Sequence, residues 1–300
     1  MLKIARSEIY AHPLPEGHRF PMDKYDLIPK QLLREGVVTE DNFFEPGILD
    51  EETLLLTHTA EYWQKLKTLS LSPAEIRKTG FPLSERLVER ELVICRGTID
   101  CCLYALEFGA AMNVAGGTHH AYPGHGEGFC LLNDFAVAAN YLLQHQLASR
   151  ILIIDLDVHQ GNGTAAIFSN SPQVFCFSMH GKENYPAKKE TSHLDIELPT
   201  GTTDKMYLGI LADTLPRILT GFTPDFAFYL SGVDILSTDK LGKLSVSMEG
   251  CQQRDHLVYK TLKSLGIPVV TSMGGGYSPA VSTIVNAHCN TFKEAVNAYF

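Results

Sequence analysis

One segment of the chain places potential metal ligands directly after a buried strand. Residues 151–154 are apolar, and Asp155, Asp157 and His159 follow at alternate positions. Successive strand side chains point to opposite faces, so these three fall on one side if the extended geometry continues. Carboxylate oxygen and neutral imidazole nitrogen are zinc ligands, and a site with three protein ligands leaves a position open for water. The spacing therefore predicts a catalytic metal centre.

Asp234 is the best candidate for the third ligand. It follows the uncharged run 226–233, where an unpaired carboxylate would be costly. An aspartate in this position also commonly caps a helix. The unusual end of the strand at 151–155 favours the metal, so we expect Asp157, His159 and Asp234 to bind zinc. Iron(II) suits the same donors, because geometry and availability decide between these metals.

Two adjacent histidines are candidates for proton transfer. His119 and His120 follow a double glycine, and imidazole titrates near neutral pH. Each ring needs an acceptor on its far nitrogen, and Asp155 and Asn162 flank the ligands. We predict the pairs His119–Asp155 and His120–Asn162. A carboxylate raises the pKa of a histidine more than an amide does, so the two rings would differ in basicity.

Two glycine-rich segments add aromatic side chains. Tyr277 follows three glycines, and a phenol placed there can donate to an oxyanion opposite the metal; a packed tyrosine in a turn is the alternative. The segment 124–130 contains Phe129, which with Tyr185 can form walls around a slender aliphatic chain. A phosphate site is less favoured, because the segment lacks the Lys and Ser/Thr of a P-loop, and a core role for Phe129 remains open.

Short apolar runs alternate with helical stretches after residue 110. The runs are 111–115, 150–155, 174–178, 225–231 and 268–273, and helices are predicted over 23–35, 51–69, 83–108 with Ser84 as N-cap, 134–144, 162–168, 204–219 and 247–265. The first 80 residues read as helices and loops. The alternation predicts an α/β fold with a parallel sheet and helices on both faces. Ligands bind beyond the carboxyl ends of such strands, where the polar clusters lie.

The composition is that of an ordinary globular chain. Its 300 residues are 45% hydrophobic and 20% charged, which fits one domain over residues 1–300. The net charge of −9 argues against nucleic-acid binding and suits cationic substrates. Seven scattered cysteines without a CxxC pair favour neither disulfides nor zinc fingers. Without a signal core or a run of about 18 apolar residues, we expect a cytoplasmic protein that does not engage membranes.

Five motifs occur in the order seen in zinc-dependent histone deacetylases, which the chain resembles over nearly its whole length. They are Gly117-Thr118-His119-His120-Ala121, Gly128-Phe129-Cys130-Leu131-Leu132-Asn133-Asp134, Asp155–Gly163, Ser231-Gly232-Val233-Asp234 and Gly274-Gly275-Gly276-Tyr277. The pair Gln160 and Asn162 resembles the class IV branch, since other branches usually carry His and Asp there. The short chain resembles a bacterial-type catalytic domain.

The resemblance implies the arginase/deacetylase fold, a single domain with a mostly parallel sheet of about eight strands. It assigns zinc to Asp157, His159 and Asp234, catalysis to His119, His120 and Tyr277 with Asp155 and Asn162 as partners, and the substrate tunnel to Gly128, Phe129, Tyr185 and Gly275. It implies structural potassium or sodium at Asp155, Ser178 and Met179, and a second such ion at Phe168, Ser171 and Val174. Arg19 matches an arginine of an internal acetate cavity.

The implied reaction is hydrolysis of an N-acyl amine, above all acetyl-lysine in a protein or peptide, with His120 as base. Acetylpolyamines, other small acetylated amines and long-chain acyl-lysines are alternative substrates. A binuclear manganese ureohydrolase on the same fold would need a second acidic cluster. A non-catalytic binding module usually lacks a ligand or the tyrosine, and this chain retains Asp157, His159, Asp234 and Tyr277.

Overall fold

One sheet of eight strands forms the centre of the protein, which a computed structural model describes over residues 1–300. The strands are β1 (Lys3–Ala5), β2 (Phe43–Phe44), β3 (Ala110–Asn113), β4 (Ile151–Asp155), β5 (Val174–Gly181), β6 (Leu194–Leu198), β7 (Phe226–Leu230) and β8 (Val269–Ser272). Their order is β2-β1-β3-β8-β7-β4-β5-β6, and every neighbouring pair is parallel. The predicted α/β fold with a parallel sheet is confirmed.

Ten α-helices accompany the sheet. They are α1 (Lys24–Arg34), α2 (Glu51–Leu54), α3 (Ala60–Lys67), α4 (Pro73–Thr79), α5 (Glu85–Phe108), α6 (Asp134–Gln144), α7 (Asn162–Phe168), α8 (Asp204–Phe222), α9 (Met248–Ser264) and α10 (Val281–Tyr299). Ser84 caps α5 as predicted, because its side chain accepts the N–H of Leu87. No helix has both the length and the apolar character needed to cross a membrane.

The N-terminal region departs from its sequence-based description. It contributes two strands, β1 and β2, rather than helices and loops alone. The single helix predicted over 51–69 is also wrong: α2 ends at Leu54, and Thr59 starts a separate helix by accepting the N–H of Tyr62. A threonine that caps the backbone in this way is extended and cannot continue the preceding helix.

The four strands β3, β8, β7 and β4 are neighbours in the sheet and are entirely buried. Their carboxyl ends are level, since Asp155 pairs with Leu230 and Leu230 with Ser272. The loops that follow therefore leave the sheet side by side, and they carry the polar clusters of the sequence. All seven cysteines are free and buried.

Candidate active site

The loop after β4 reaches its geometry through turns. Strand β4 ends at Asp155, so the extended geometry expected through His159 does not continue. Asp155 Oδ1 accepts the N–H of Asp157 at 3.2 Å, and Asp157 Oδ1 accepts the N–H of His159 at 3.0 Å. Aspartate readily bonds the backbone two residues on. Two such turns in succession bring Asp157 and His159 to the end of the sheet.

Asp157, His159 and Asp234 converge on one point. His159 Nδ1 lies 3.0 Å from Asp157 Oδ1 and 3.1 Å from Asp234 Oδ2. These three residues form the one group of at least three His, Cys, Asp or Glu side chains whose ligand atoms lie within 4.8 Å of one another, and all are buried. Zinc bonds of about 2.0–2.1 Å in a tetrahedron place ligand atoms about 3.3 Å apart. The donor set and its spacing fit a divalent metal.

The electrostatics of this cluster also favour a cation. Asp234 Oδ2 is buried and makes no hydrogen bond of acceptable geometry, although His159 Nδ1 lies 3.1 Å away, and this arrangement is costly for a carboxylate oxygen. Burial alone would lower the pKa of His159, but the two carboxylates raise that pKa to about 10. A positive charge is thus strongly stabilised between Asp157 and Asp234.

Gly275 is placed against the metal ligands. Its N–H donates to Asp157 Oδ2 at 2.8 Å. A Cβ atom there would overlap Asp234 Oδ2 and lie 2.8 Å from Asp157 Oδ2. Only a residue without a side chain fits at this position, which gives the central one of the three glycines before Tyr277 a direct physical reason.

The predicted histidine pairs are both formed. His119 Nδ1 lies 2.7 Å from Asp155 Oδ2, and His120 Nδ1 lies 2.6 Å from Asn162 Oδ1. Burial would lower the pKa of His119, but Asp155 raises it above its usual value. Burial, together with His119 and His159, lowers the pKa of His120 well below its usual value. The two rings therefore differ in basicity as expected, and His120 is the less basic one.

A cavity of about 370 Å³ leads to this cluster. His120, His159, Tyr277, Phe129 and Tyr185 all line it, together with Gly128. Phe129 is half-buried, while Tyr185 is 42% exposed and lies edge-on to His120 with ring centroids 5.0 Å apart. The two aromatic residues predicted to line a tunnel thus share one cavity with the metal ligand His159.

The rim of this cavity is basic. Its lining includes Arg19, Arg77, Lys78 and Lys243, against one acidic residue, Glu183. The side chains that line this cavity thus carry more positive than negative charge, although Lys78 is paired with the buried Glu127. The expectation of cationic substrates came from net charge alone, and it stays a prediction.

A smaller cavity of about 40 Å³ adjoins the first, since both are lined by His120, His159 and Tyr277. Arg19 does not line it: this residue is exposed at the outer rim, so its predicted place in an internal cavity is wrong. The buried Arg90 lines the smaller cavity instead. Sequence analysis missed Arg90 because it lies inside α5, away from every recognised motif.

The two predicted groups of monovalent-cation residues lie at separate places along β5. Asp155 is the register partner of Ser178, and Met179 follows it in the strand. The second group lies between α7 and β5, where the carbonyl of Phe168 accepts the N–H of Ser171 and Val174 begins the strand. These placements bring the members of each group near one another in the fold, and ion binding stays a prediction.

Sequence analysis assigned no role to Glu127, which lies beside the predicted groups. The residue is buried, and its carboxylate contacts the side chains of Asn162, Tyr185 and Lys78. Its position between two glycines indicated a loop, and a loop carboxylate is ordinarily exposed. Only the folded arrangement places it next to Asn162.

Comparisons with known proteins agree with this arrangement. The histone deacetylase domain family matches residues 18–292. Histone deacetylase 2 of Arabidopsis thaliana is 31% identical over 280 residues, which cover 89% of this chain and 72% of that protein. An uncharacterized protein of Picosynechococcus sp. is 44% identical over 290 residues, 97% of both chains.

A solved structure shows the same fold. The crystal structure of an HDAC homologue from Aquifex aeolicus superposes with a TM-score of 0.85 at 24% identity, over 99% of this chain and 84% of that one. The family match covers nearly all of the chain, including every cluster at the ends of the four central strands. The chain belongs to the histone deacetylase family.

Proposed function

We propose that the protein is a zinc-dependent amidohydrolase that removes an acetyl or similarly short acyl group from the side-chain amine of lysine. The observation that carries this proposal is the convergence of Asp157, His159 and Asp234 at a cavity shared with His120 and Tyr277. The aromatic walls of that cavity suit the aliphatic part of an acyl-lysine side chain. Iron(II) is the alternative metal for the same donors.

Different residues of the chain have different roles in the proposed hydrolysis. Zinc held by Asp157, His159 and Asp234 would lower the pKa of water to about 7 and polarise a carbonyl group. His120, neutral at pH 7, takes the proton of the attacking water. The Tyr277 hydroxyl donates a hydrogen bond to the carbonyl oxygen as negative charge develops there. His119 or His120 then protonates the leaving amine.

The two cavities bear on the choice of substrate. A cavity of about 40 Å³ beside the metal ligands has room for little more than a few water-sized groups, since one water needs on the order of 10–15 Å³. This supports a short acyl group over a long-chain one. The basic rim disfavours polycationic acetylpolyamines and supports an acyl-lysine within a peptide or protein.

Other functions on this fold have less support. A binuclear manganese centre would need a second ligand cluster, and only one such group occurs. A non-catalytic binding module would have no use for the complete set of ligands, histidines and Tyr277. Within the family, Gln160 and Asn162 support a class IV-like assignment. Potassium or sodium near Asp155 and Ser178 remains part of the proposal.

A hydrolysis panel with metal analysis tests this function. Acetyl-lysine peptides, acetylpolyamines and myristoyl-lysine peptides are given to zinc-loaded and iron-loaded protein, and we expect acetyl-lysine peptides to be the best substrates. Asp234→Asn should lose both the metal and activity. The matched change Asp213→Asn, at an exposed residue of α8, should lose neither. Fully metal-loaded protein that hydrolyses none of the three classes would refute the proposal.

A further inference from the structure

Glu127 is a buried carboxylate that the proposed mechanism does not use. Only 4% of the residue is exposed. Its Oε1 accepts from Asn162 Nδ2 at 2.6 Å and from the Tyr185 hydroxyl at 2.8 Å. Its Oε2 pairs with Lys78 Nζ at 2.5 Å. Burial alone would raise the pKa of Glu127, but its partners, His125 and Lys78 first, hold that pKa well below its usual range.

Asn162 links this carboxylate to His120. The amide contacts His120 Nδ1 through Oδ1 at 2.6 Å and Glu127 through Nδ2. A side-chain amide can turn over and exchange its donor and acceptor ends, whereas an ionised carboxylate only accepts. Because Glu127 can only accept, the NH₂ group must face it, and the amide oxygen must face His120.

The orientation of the amide decides where His120 carries its proton. An oxygen acceptor at Nδ1 requires a proton on Nδ1, which leaves Nε2 with a free lone pair. A turned amide would donate to Nδ1 instead and would move the proton to Nε2. A ring protonated on Nε2 cannot accept a proton there from water.

We propose that Glu127 is a positioning residue: it fixes the amide of Asn162, so that His120 keeps its proton on Nδ1 and offers an unprotonated Nε2 to the cavity. The inference rests on the proposed role of His120 as a base. An aspartate in place of Asn162 would accept from Nδ1 in either orientation and would need no such help. In this chain the group that can only accept is the carboxylate of Glu127, and it contacts Asn162 instead of the His120 ring.

A double-mutant cycle separates positioning from a merely structural role. Glu127→Gln removes the acceptor-only group, and we expect kcat to fall by roughly 10- to 100-fold, the range typical of groups that orient a site, with little change in KM. Asn162→Asp alone places two carboxylates in contact, which repel each other, and should also impair the protein. The double variant exchanges amide and carboxylate and should recover most of kcat, because the introduced carboxylate then orients His120 directly.

Two controls accompany the cycle. Glu61→Gln changes an exposed glutamate whose side chain is 82% accessible, and it should leave kcat unchanged. Thermal unfolding and zinc content of every variant show whether each protein is folded and loaded. Rescue of Glu127→Gln by Asn162→Asp cannot arise from the contacts of Glu127 with Lys78 or Tyr185, since the second change restores neither.

Nitrogen-15 NMR of histidine-labelled, zinc-loaded protein reads the tautomer directly. The His120 signal, assigned by its loss in His120→Gln, should show a protonated Nδ1 in the wild type and a mixture of tautomers in Glu127→Gln. Wild-type His120 protonated on Nε2 contradicts the inference, even if no acylated substrate is ever hydrolysed. Unchanged kcat in Glu127→Gln, or a double variant no better than that single variant, likewise contradicts it.

Discussion

Tyr277 combines a fixed backbone with a hydroxyl that stays protonated. Its N–H donates to Asp239 Oδ2 at 2.6 Å, and its ring lies 6.4 Å from that of His159 between centroids. Burial, followed by the charges of Asp234 and Asp157, raises the pKa of Tyr277 well above its usual value. At neutral pH the residue is therefore a hydrogen-bond donor beside the metal ligands.

Replacing Tyr277 by Phe should cut kcat by roughly 10²- to 10³-fold, the usual loss when an oxyanion donor is removed. Zinc content should be unchanged, because the tyrosine is not a ligand. Steady-state kinetics and metal analysis of the same preparation check both statements. Tyr104→Phe, at a ring that packs on Phe44 far from the cavity, is the control. Near-normal turnover in Tyr277→Phe would remove the residue from the mechanism.

Individual residues were predictable where their spacing was unusual. Asp157 and His159 stood out because an apolar strand does not need to be followed by a carboxylate and an imidazole at alternate positions. In the structure, turns rather than extended backbone bring these two residues together. Glu127 and Arg90 carried no such signal. Their burial depends on contacts distant in sequence, such as the 80-residue separation between Arg90 and the Tyr10 carbonyl that it donates to.

At the scale of elements, the loops after β7 and β8 must approach each other very closely. The N–H of Val233 donates to the carbonyl of Gly275 at 2.9 Å, while the N–H of Gly275 donates to Asp157. These two hydrogen bonds fix the loop after β7, the loop after β8 and the side chain of Asp157 relative to one another. The positions of Asp157 and Asp234 therefore depend on backbone contacts between these two loops.

Gly275→Ala should lower zinc affinity and activity, because the new Cβ would displace the carboxylate of Asp234. Gly209→Ala is the matched control. A Cβ at Gly209 in α8 meets nothing within 4 Å, so this change should raise the free energy of unfolding by roughly 0.5–1 kcal/mol. Zinc titration and chemical denaturation measure the two effects. Wild-type zinc affinity in Gly275→Ala would mean that the loops can move apart at little cost.

Strands were predictable in proportion to their burial and length. The central strands β4 and β7 are apolar and fully buried, and both were recognised. The strands β1 and β2 have three and two residues, too few to show a period. Strand β6 is an edge strand with alternating charged residues and partial exposure, so it resembles a loop in sequence.

At the scale of the whole molecule, charge is unevenly distributed. The chain carries −9 overall, yet the entrance to the larger cavity has four basic residues and one acidic residue. Charges that line an opening attract ligands of opposite sign and set association rates. Net charge gave no indication of this local reversal, because the basic residues come from three separate segments of the sequence.

Acetyl-lysine peptides with flanking Asp or Glu should have a higher kcat/KM than peptides with flanking Lys or Arg. Each exposed pair should contribute roughly two- to fivefold, corresponding to about 0.5–1 kcal/mol, and the preference should shrink as salt screens it. Arg77→Gln should weaken the preference, while Arg217→Gln, at a 76%-exposed residue outside the cavity lining, should not. A preference for basic peptides would contradict this prediction.

The burial of every cysteine makes the native protein a ready framework for site-specific labelling. The seven native cysteines are all buried, so a cysteine introduced at the exposed Lys182, next to Glu183 of the cavity lining, should react with a maleimide much faster than they do. A fluorophore attached there could follow ligand arrival without removing any native residue of the core. The same seven thiols are buried in the folded protein, so their reaction with the reagent would measure unfolding.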